Sequence, residues 1–213
     1  MLSLSNSIWW TRKARIQAEK RLLANAFQSQ VILLWYSFFA VCVSVYYLKN
    51  SQDETQAIAW VLYSVLILCL SVFINGLSFK ERAALIKECY ESLTSILIKA
   101  RDKDSDKSTL SKEYESKLNA CENHTDNDFA IALCQEYWAS SPAVKAATKR
   151  KHKFGYHNVE NALTRAPSSH HWFLAFKYFF FRYITLLAFY SLPVLILFFL
   201  NIINSNFCFL FKN

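Results

Sequence analysis

The sequence predicts an all-α membrane protein with an N-terminal transmembrane helical hairpin, a cytosolic helical module and a third, C-terminal transmembrane helix. Two observations support this fold class. Apolar residues are gathered in three long blocks that carry no charged side chain, and such blocks are typical of helices that cross a bilayer. The 213 residues include two glycines and three prolines, so turns are scarce and helices are long.

The first element, residues 1–30, is predicted to be a basic amphipathic helix on the cytosolic side. Small and apolar residues recur every four positions from Trp10 to Ala26 and define one face. The cations on the other faces can bind lipid headgroups along the inner leaflet, or couple the module to the spans. The alternative is that they only determine topology, with ordinary packing. These candidate residues are Arg12, Lys13, Arg15, Lys20 and Arg21.

Two apolar blocks, residues 31–48 and 57–79, predict the two spans of the hairpin. At about 1.5 Å per residue, the shorter block reaches roughly 27 Å, close to the ~30 Å thickness of a hydrocarbon core. A polar segment, residues 49–56, joins the two blocks. A soluble helical hairpin is the alternative, but it would need partners that cover every side of both helices.

Each helix of the hairpin carries one stripe of small or weakly polar side chains, because residues seven apart return to nearly the same face. Such a stripe either lets helices pack closely, or lines a water-filled path when several hairpins assemble. Asn75 is the most informative position, since an amide in hydrocarbon needs a partner or water. The stripes consist of Ser37, Ala40 and Ser44 in the first span and of Trp60, Ser64, Ser71 and Asn75 in the second.

Residues 80–182 are predicted to form the cytosolic helical module. Residues 80–101 continue straight from the second span as one long amphipathic helix. Two shorter helices follow, and the second begins near Asp128, which is a candidate N-cap together with Asp126. The basic run from Lys145 to Lys153 predicts a solvated or lipid-facing surface, with contact to nucleic acid phosphates as the alternative.

Residues 183–203 predict the third transmembrane helix, and residues 204–213 a short tail. Aromatic residues with Lys177 and Arg182 precede this block, as expected where a helix passes through the headgroup region. Pro193 lies near the middle of the block, which membrane helices tolerate. The alternative is a re-entrant or surface-lying helix.

Flanking charge predicts the orientation of the chain. Cations precede the first span and follow the second, whereas the loop between the spans carries one lysine and two acidic residues. The positive-inside tendency therefore places the N-terminus and the module in the cytosol, and the hairpin loop outside.

The sequence predicts no catalytic residue, no cofactor and no metal ion, and hence no enzyme. It contains none of the G-x-S-x-G, H-E-x-x-H or Walker patterns. Cys121 and His124, with His152 or His157, come nearest to a set of metal ligands, but their spacing matches no standard zinc site. The six cysteines form no C-x-x-C pair and are expected to be reduced, as in a cytosol-facing protein.

Three segments carry a resemblance to a known family. They are WWTRKARIQAEKRLL (Trp9 to Leu23), CYESL (Cys89 to Leu93) and ENHTDNDF (Glu122 to Phe129). The chain resembles the SLATT proteins, two-transmembrane effectors found with bacterial nucleotide-messenger and related anti-phage systems. The resemblance is closest to the subgroup encoded beside reverse transcriptases in retron-like systems.

This resemblance implies a multi-pass protein of the bacterial inner membrane that assembles or opens a pore, so that the infected cell dies or stops growing before phage are released. It also implies a homo-oligomer in the lipid bilayer, regulated by a complex of reverse transcriptase and nucleic acid or by a nucleotide signal. A membrane-anchored scaffold that recruits a cytosolic partner, without pore activity, is the alternative.

Overall fold

The computed structural model describes the backbone of residues 4–50, 54–102, 106–154 and 162–210, and within them the side chains of 4–45, 58–102, 106–151 and 162–199. All regular secondary structure in these ranges is α-helix, which confirms the predicted fold class. The helices are α1 (Leu4–Asn50), α2 (Glu54–Gly76), α3 (Phe79–Arg101), α4 (Lys107–Asn119), α5 (Asp126–Ala139), α6 (Pro142–Phe154) and α7 (Ser169–Leu210).

Three helical segments are long and apolar enough to cross a membrane: Leu4–Val45 in α1, Ile58–Arg101 in α2 and α3, and Ser169–Phe199 in α7. Their large apolar side chains are exposed in the isolated chain, with 71% of the surface of Leu34 and 65% of that of Phe73 accessible. Water-soluble proteins do not leave so many apolar side chains uncovered along whole helices. The chain is therefore a membrane protein, and the predicted third apolar helix is present.

The helices form two compact units. We call residues 1–24 and 79–180 the head unit, and residues 25–78 and 181–213 the hairpin unit. Both α1 and α7 contribute to both units, because each helix runs on past the boundary without interruption. The predicted basic helix and the first span are thus parts of one helix.

The junction between α2 and α3 differs from the prediction of one continuous helix. The N–H groups of Leu77 and Ser78 each donate to a carbonyl three residues back, at 3.2 Å. Ser78 then has a φ of 44°, a left-handed conformation that ends a helix. Gly76 favours this ending, since glycine loses the most conformational entropy when it is held in a helix. The helix therefore breaks between the second span and the head unit.

The C-terminal helix begins earlier and ends later than the predicted third span. It starts at Ser169, includes the aromatic segment, passes through Pro193 and continues to Leu210. Most of the predicted tail at 204–213 is therefore helical, and only residues 211–213 lie outside the described residues.

The apolar face of α1 forms the centre of the head unit. Trp10, Ala14, Ala18 and Leu22 expose 1% or less of their surface, which confirms the face predicted from their spacing. Two clusters hold this face against α3 and α4: Ile8 with Leu93, Ile96, Leu97 and Leu110, and Ala18 and Leu22 with Ala83 and Ile86. The basic helix is thus a core element rather than a peripheral one.

Candidate functional site

Arg15 lies at the centre of a buried polar cluster in the head unit, with 1% of its surface exposed. Its guanidinium donates to the sulfur atoms of Cys89 and Cys121, and Nη2 donates to the carbonyl of Leu118 at 3.2 Å. Cys89 belongs to α3, while Leu118 and Cys121 lie at the end of α4 and just after it. One side chain of α1 therefore ties two other helices together.

The partners of Arg15 are two thiol groups and a backbone carbonyl, although a buried cation is costly to remove from water unless it is paired. Burial raises the pKa of the Cys121 thiol to about 12, a hydrogen bond with Cys89 adds to this, and the Arg15 charge acts in the opposite direction. A thiol with such a pKa is protonated at neutral pH and is a poor nucleophile. The cluster is suited to hydrogen bonding rather than to attack on a substrate.

His124 lies in the segment between α4 and α5, within range of the Arg15 charge. Burial, and then the charge of Arg15, lowers the pKa of the His124 imidazole. Its Nδ1 is buried without a hydrogen-bond partner. Within the described residues, no group of three or more His, Cys, Asp or Glu side chains is arranged to hold a metal ion. The side chains of His152 and His157, which were the other candidate ligands, lie outside the described residues.

Arg21 and Asp128 form a bidentate ion pair between α1 and α5. The guanidinium Nε lies 3.0 Å from Oδ1 and Nη2 lies 3.2 Å from Oδ2, and Asp128 exposes 1% of its surface. The same carboxylate accepts the backbone N–H and the hydroxyl of Thr125, at 2.9 and 2.8 Å. Four donated hydrogens stabilise this buried charge, and two of them fix the start of α5.

The N-cap of α5 is Thr125, not Asp126 or Asp128 as predicted. Thr125 and Asp128 form a capping box, in which the threonine side chain accepts the Asp128 N–H while the aspartate accepts the Thr125 N–H. The T-x-x-D spacing before an apolar run indicates this motif from sequence. The sequence can therefore predict Asp128 as the second residue of a capping box, but not as the partner of Arg21.

Further contacts join α1 to the rest of the head unit. Lys13 pairs with Glu136 at 2.9 Å, and Gln17 donates to Gln135 at 2.6 Å. Near the start of the helix, the indole N–H of Trp10 donates to the hydroxyl of Thr164 at 2.8 Å.

Phe129 lies among aromatic and cationic groups in this unit. Its ring centroid lies 6.3 Å from those of Trp10 and His124, and Arg165 lies over its face at 5.4 Å. The three sequence segments that carry the family resemblance therefore meet in one place. CYESL supplies Cys89 as a partner of the basic helix, and ENHTDNDF supplies Asp128 and Phe129.

The predicted basic candidates are thus engaged mainly by protein groups. Arg15 is buried, Arg21 and Lys13 are ion-paired, and Lys20 is exposed. Arg12 is partly buried, with an Nε that has no hydrogen-bond partner. In this conformation the geometry suits a coupling or packing role for Arg15 and Arg21 better than contact with lipid headgroups.

In the hairpin unit, α1 and α2 meet along an aromatic seam. Tyr36 and Val43 of α1 pack with Trp60 and Tyr63 of α2, and the rings of Tyr36 and Tyr63 stack at 6.3 Å. Trp60, which the sequence assigns to a polar stripe, is therefore buried in the seam.

Helix α7 is held to α1 through two backbone carbonyls in the helical turn before Pro193. A proline lacks the N–H that would bond the carbonyl four residues back, which here belongs to Phe189. The hydroxyl of Tyr36 donates to that carbonyl at 2.9 Å, and the indole of Trp35 donates to the carbonyl of Tyr190 at 3.1 Å. The backbone acceptor that proline leaves free is thus satisfied by α1, as hydrocarbon surroundings require.

The two serines of the α1 stripe lie outside the face of α1 that contacts α7. Gln28 and Trp35 contact Tyr190 of α7. Gln28 precedes Ser37 by nine positions, and Trp35 precedes Ser44 by nine. Nine residues make about two and a half turns, so that the two sets point in opposite directions. Both serines are exposed, and α7 does not cover them.

The serine hydroxyls of the stripes bond to their own helices. Ser37, Ser44 and Ser64 each donate to the carbonyl four residues back, at 2.9, 2.8 and 3.0 Å. Ser64 and Asn75 are exposed. Ala40 and Ser71 are half-buried, and Ala40 packs beside the seam. Two residues of each stripe are therefore exposed along the single chain.

Comparison with known proteins places these features in a family. Residues 2–200 match the family model described as SMODS and SLOG-associating 2TM effector domain family 5. No curated protein and no solved structure matches the chain. The matched range contains the buried Arg15 cluster, the capping box, the hairpin and nearly all of the apolar part of α7. The chain belongs to family 5 of the SLATT proteins, a family of two-transmembrane effector domains of defence systems.

Proposed function

We propose that this chain is the membrane effector of a bacterial anti-phage system, and that it permeabilises the inner membrane when several copies assemble or rearrange around a water-filled path. The observation that carries the proposal is that Ser37 and Ser44 of the α1 stripe are exposed, on a part of the helix surface that α7 does not cover. An anchor alone would not require polar side chains on its free face.

The hydrogen bonds of these serines suit a protein with two states. A hydroxyl bonded to the carbonyl four residues back is satisfied within its own helix, so Ser37 and Ser44 are stable against lipid at rest. In an assembly the same hydroxyls can turn to water or to a neighbouring helix. Asn75, which is exposed, has a larger polar group and gains more from a hydrated path.

The head unit supplies the means of control. Because α1 runs from Leu4 to Asn50 without a break, a change in how the head unit holds α1 is carried along the helix into the hairpin unit. Arg15 and Arg21 are the coupling residues in this scheme, since their bonds fix the helix against α3, α4 and α5. With the N-terminus in the cytosol, the trigger acts from the cytosolic side.

The trigger belongs to the defence system. In a retron-like system it is a complex of reverse transcriptase and nucleic acid, and in a nucleotide-messenger system it is a small nucleotide. The exposed cations Lys149 and Arg150 within the basic run of α6 are where phosphates of either trigger would first be attracted. The outcome is abortive infection.

Expression together with the trigger tests the proposal. The membrane potential, followed with a potential-sensitive dye, is expected to collapse, and Asn75→Leu or Ser44→Leu is expected to weaken the collapse. Val72→Leu, at an exposed apolar position of α2, is the matched control and should behave as wild type. Full toxicity with an intact membrane potential would contradict the proposal. Retained toxicity after exchange of the hairpin for an unrelated two-span anchor would favour the scaffold alternative.

A further inference from the structure

An apolar groove of about 780 Å³ lies between α5 and the first turns of α7 in the head unit. Its floor is formed by Ile131, Cys134 and Ala175, which are buried. Its walls are aromatic, and 74% of the surface of Trp138 and 68% of that of Phe176 are exposed. A groove of this size falls in the range of about 300–1,000 Å³ that is typical of small-ligand sites.

The lining offers little to a polar ligand. Among the described residues that line it, Gln135 is the only one with a side-chain amide, and that amide accepts a hydrogen bond from Gln17. None of these lining residues is acidic. The chemistry therefore favours a hydrocarbon chain as the occupant.

The groove continues into a segment with membrane character. Its α7 wall lies within Ser169–Phe199, one of the segments that are long and apolar enough to cross a bilayer. At about 1.5 Å per residue, these residues reach roughly 46 Å, beyond the ~30 Å of a hydrocarbon core. The first turns, with Trp172 and Phe176, therefore fall at or near the headgroup region, where acyl chains and headgroups are both in reach.

A cation contacts the backbone of one of the residues that line the groove. The ammonium of Lys145 donates to the carbonyl of Trp138 at 2.8 Å and lies over the ring of Tyr137. From Tyr137 to Val159 the sequence has no acidic residue, and α6 adds further cations at Lys149, Arg150 and Lys151. A phosphate group near Lys145 would be stabilised by these charges.

We propose that this groove binds one acyl chain of an anionic phospholipid, whose phosphate contacts Lys145. The bound lipid would cover the aromatic walls and tie α5 to the headgroup region beside α7. The site is separate from the polar stripes of the hairpin unit, and it does not depend on pore formation.

Quenching of tryptophan fluorescence by brominated lipid tests the site. Full-length protein in detergent micelles is titrated with phosphatidylglycerol that carries brominated acyl chains. The emission of Trp138 is obtained by subtracting the spectrum of the Trp138→Phe variant from that of the wild type. Trp138 is exposed, so this substitution should not disturb the fold. We expect this emission to be quenched at saturation by one lipid per chain. Phosphatidylcholine has the same phosphate, but its choline cation cancels the net charge of the headgroup. Brominated phosphatidylcholine should therefore bind roughly fivefold more weakly, the factor for one cation near an anionic surface.

Two matched pairs of variants localise the effect. Phe176→Glu places a charge in the groove, whereas Phe173→Glu places one at an exposed position of α7 that does not line it. Ala139→Phe narrows the groove, whereas Ala146→Phe adds the same ring at an exposed position of α6. The first member of each pair should abolish saturable quenching and the second should retain it. Lys145→Gln should retain acyl binding and remove the preference for phosphatidylglycerol.

Two results would overturn the proposal. One is non-specific quenching of Trp138: it rises without saturation and is equal for both lipids, or it is not changed by Phe176→Glu. The other is occupation by a second copy of the chain, in which case brominated lipid does not quench Trp138 and Phe176→Glu, but not Phe173→Glu, lowers the oligomer size. Neither result bears on the membrane-potential experiment, so the two proposals can fail separately.

Discussion

Two sets of polar side chains on α1, one in each unit, are satisfied in opposite ways. In the head unit, polar groups of α1 bond to other helices, as Arg15 does with Cys89 and Cys121 and as Arg21 does with Asp128. In the hairpin unit, the exposed hydroxyls of Ser37 and Ser44 bond to their own helix. The first arrangement depends on tertiary structure, whereas the second is independent of any neighbour.

Apolar side chains show the same contrast. In the head unit, Ala14, Ala18 and Leu22 are fully buried, while in the hairpin unit Leu34 and Val41 expose more than 60% of their surface. The difference teaches that one chain buries the α1 face of the head unit but leaves the spans of the hairpin unit uncovered. Lipid, or further copies of the chain, must supply the surroundings that the hairpin unit lacks.

The largest effect is expected from the buried pair of the head unit. Asp128→Asn removes the charge opposite Arg21 and weakens the capping box. Removing one partner of a buried pair costs about 3–5 kcal/mol. The matched change Glu122→Gln breaks the bidentate pair with Arg82, whose side chains are 37% and 40% exposed, and should cost ~0–1 kcal/mol. Thermal unfolding in detergent measures both, and equal midpoints would show that the head unit does not depend on its buried contacts.

A smaller effect is expected where the hairpin unit does depend on tertiary contact. Tyr36→Phe leaves the carbonyl of Phe189 without a donor and should lower stability by about 1 kcal/mol. Pro193→Ala restores the N–H that bonds this carbonyl within α7. In that background Tyr36→Phe should have little effect, and a double-mutant cycle on unfolding in mixed micelles measures the coupling. Simple additivity of the two changes would contradict the role assigned to Tyr36.

The smallest effect concerns pH. Because the pKa of His124 is lowered in the folded protein, the unfolded chain binds a proton more readily. The contribution of His124 to stability is therefore complete above its unfolded pKa of about 6.5 and is lost as pH falls below it. His124→Gln should flatten the dependence of the unfolding midpoint on pH in this range. If the slope of the unfolding midpoint against pH is the same in the variant, other groups cause the pH dependence and the role given to His124 is wrong.

The sequence predicts the elements better than their contacts. The uncharged blocks predict the apolar helices, because length and composition alone decide whether a helix suits a bilayer. The recurrence of small and apolar residues every four positions from Trp10 to Leu22 likewise predicts the buried face of α1. The break after Gly76 was missed because it depends on a left-handed residue, Ser78, that is not a glycine.

The site was predicted only in part, for a physical reason. Cations in a basic helix beside a span are usually solvated or near headgroups, and nothing local to Arg15 indicates that Cys89 and Cys121 surround it. These residues are separated by 74 and 106 positions in the chain. The bond from Tyr36 to the carbonyl freed by Pro193 is equally non-local, although the proline itself signals that a donor is needed.

The central claim is that the polar face of α1 in the hairpin unit is free of α7 and faces water once the effector is triggered. Cysteine accessibility tests it most directly, with Ser37→Cys, Ser44→Cys and the apolar control Phe38→Cys placed in a chain in which Cys42, Cys69 and Cys208 are replaced by alanine. Phe38 is exposed but lies about 100° or more around the helix from both serines. We expect a membrane-impermeant thiol reagent to label positions 37 and 44 faster after the trigger is expressed, and position 38 at an unchanged rate. Collapse of the membrane potential without any increase in labelling at positions 37 and 44 would contradict the account.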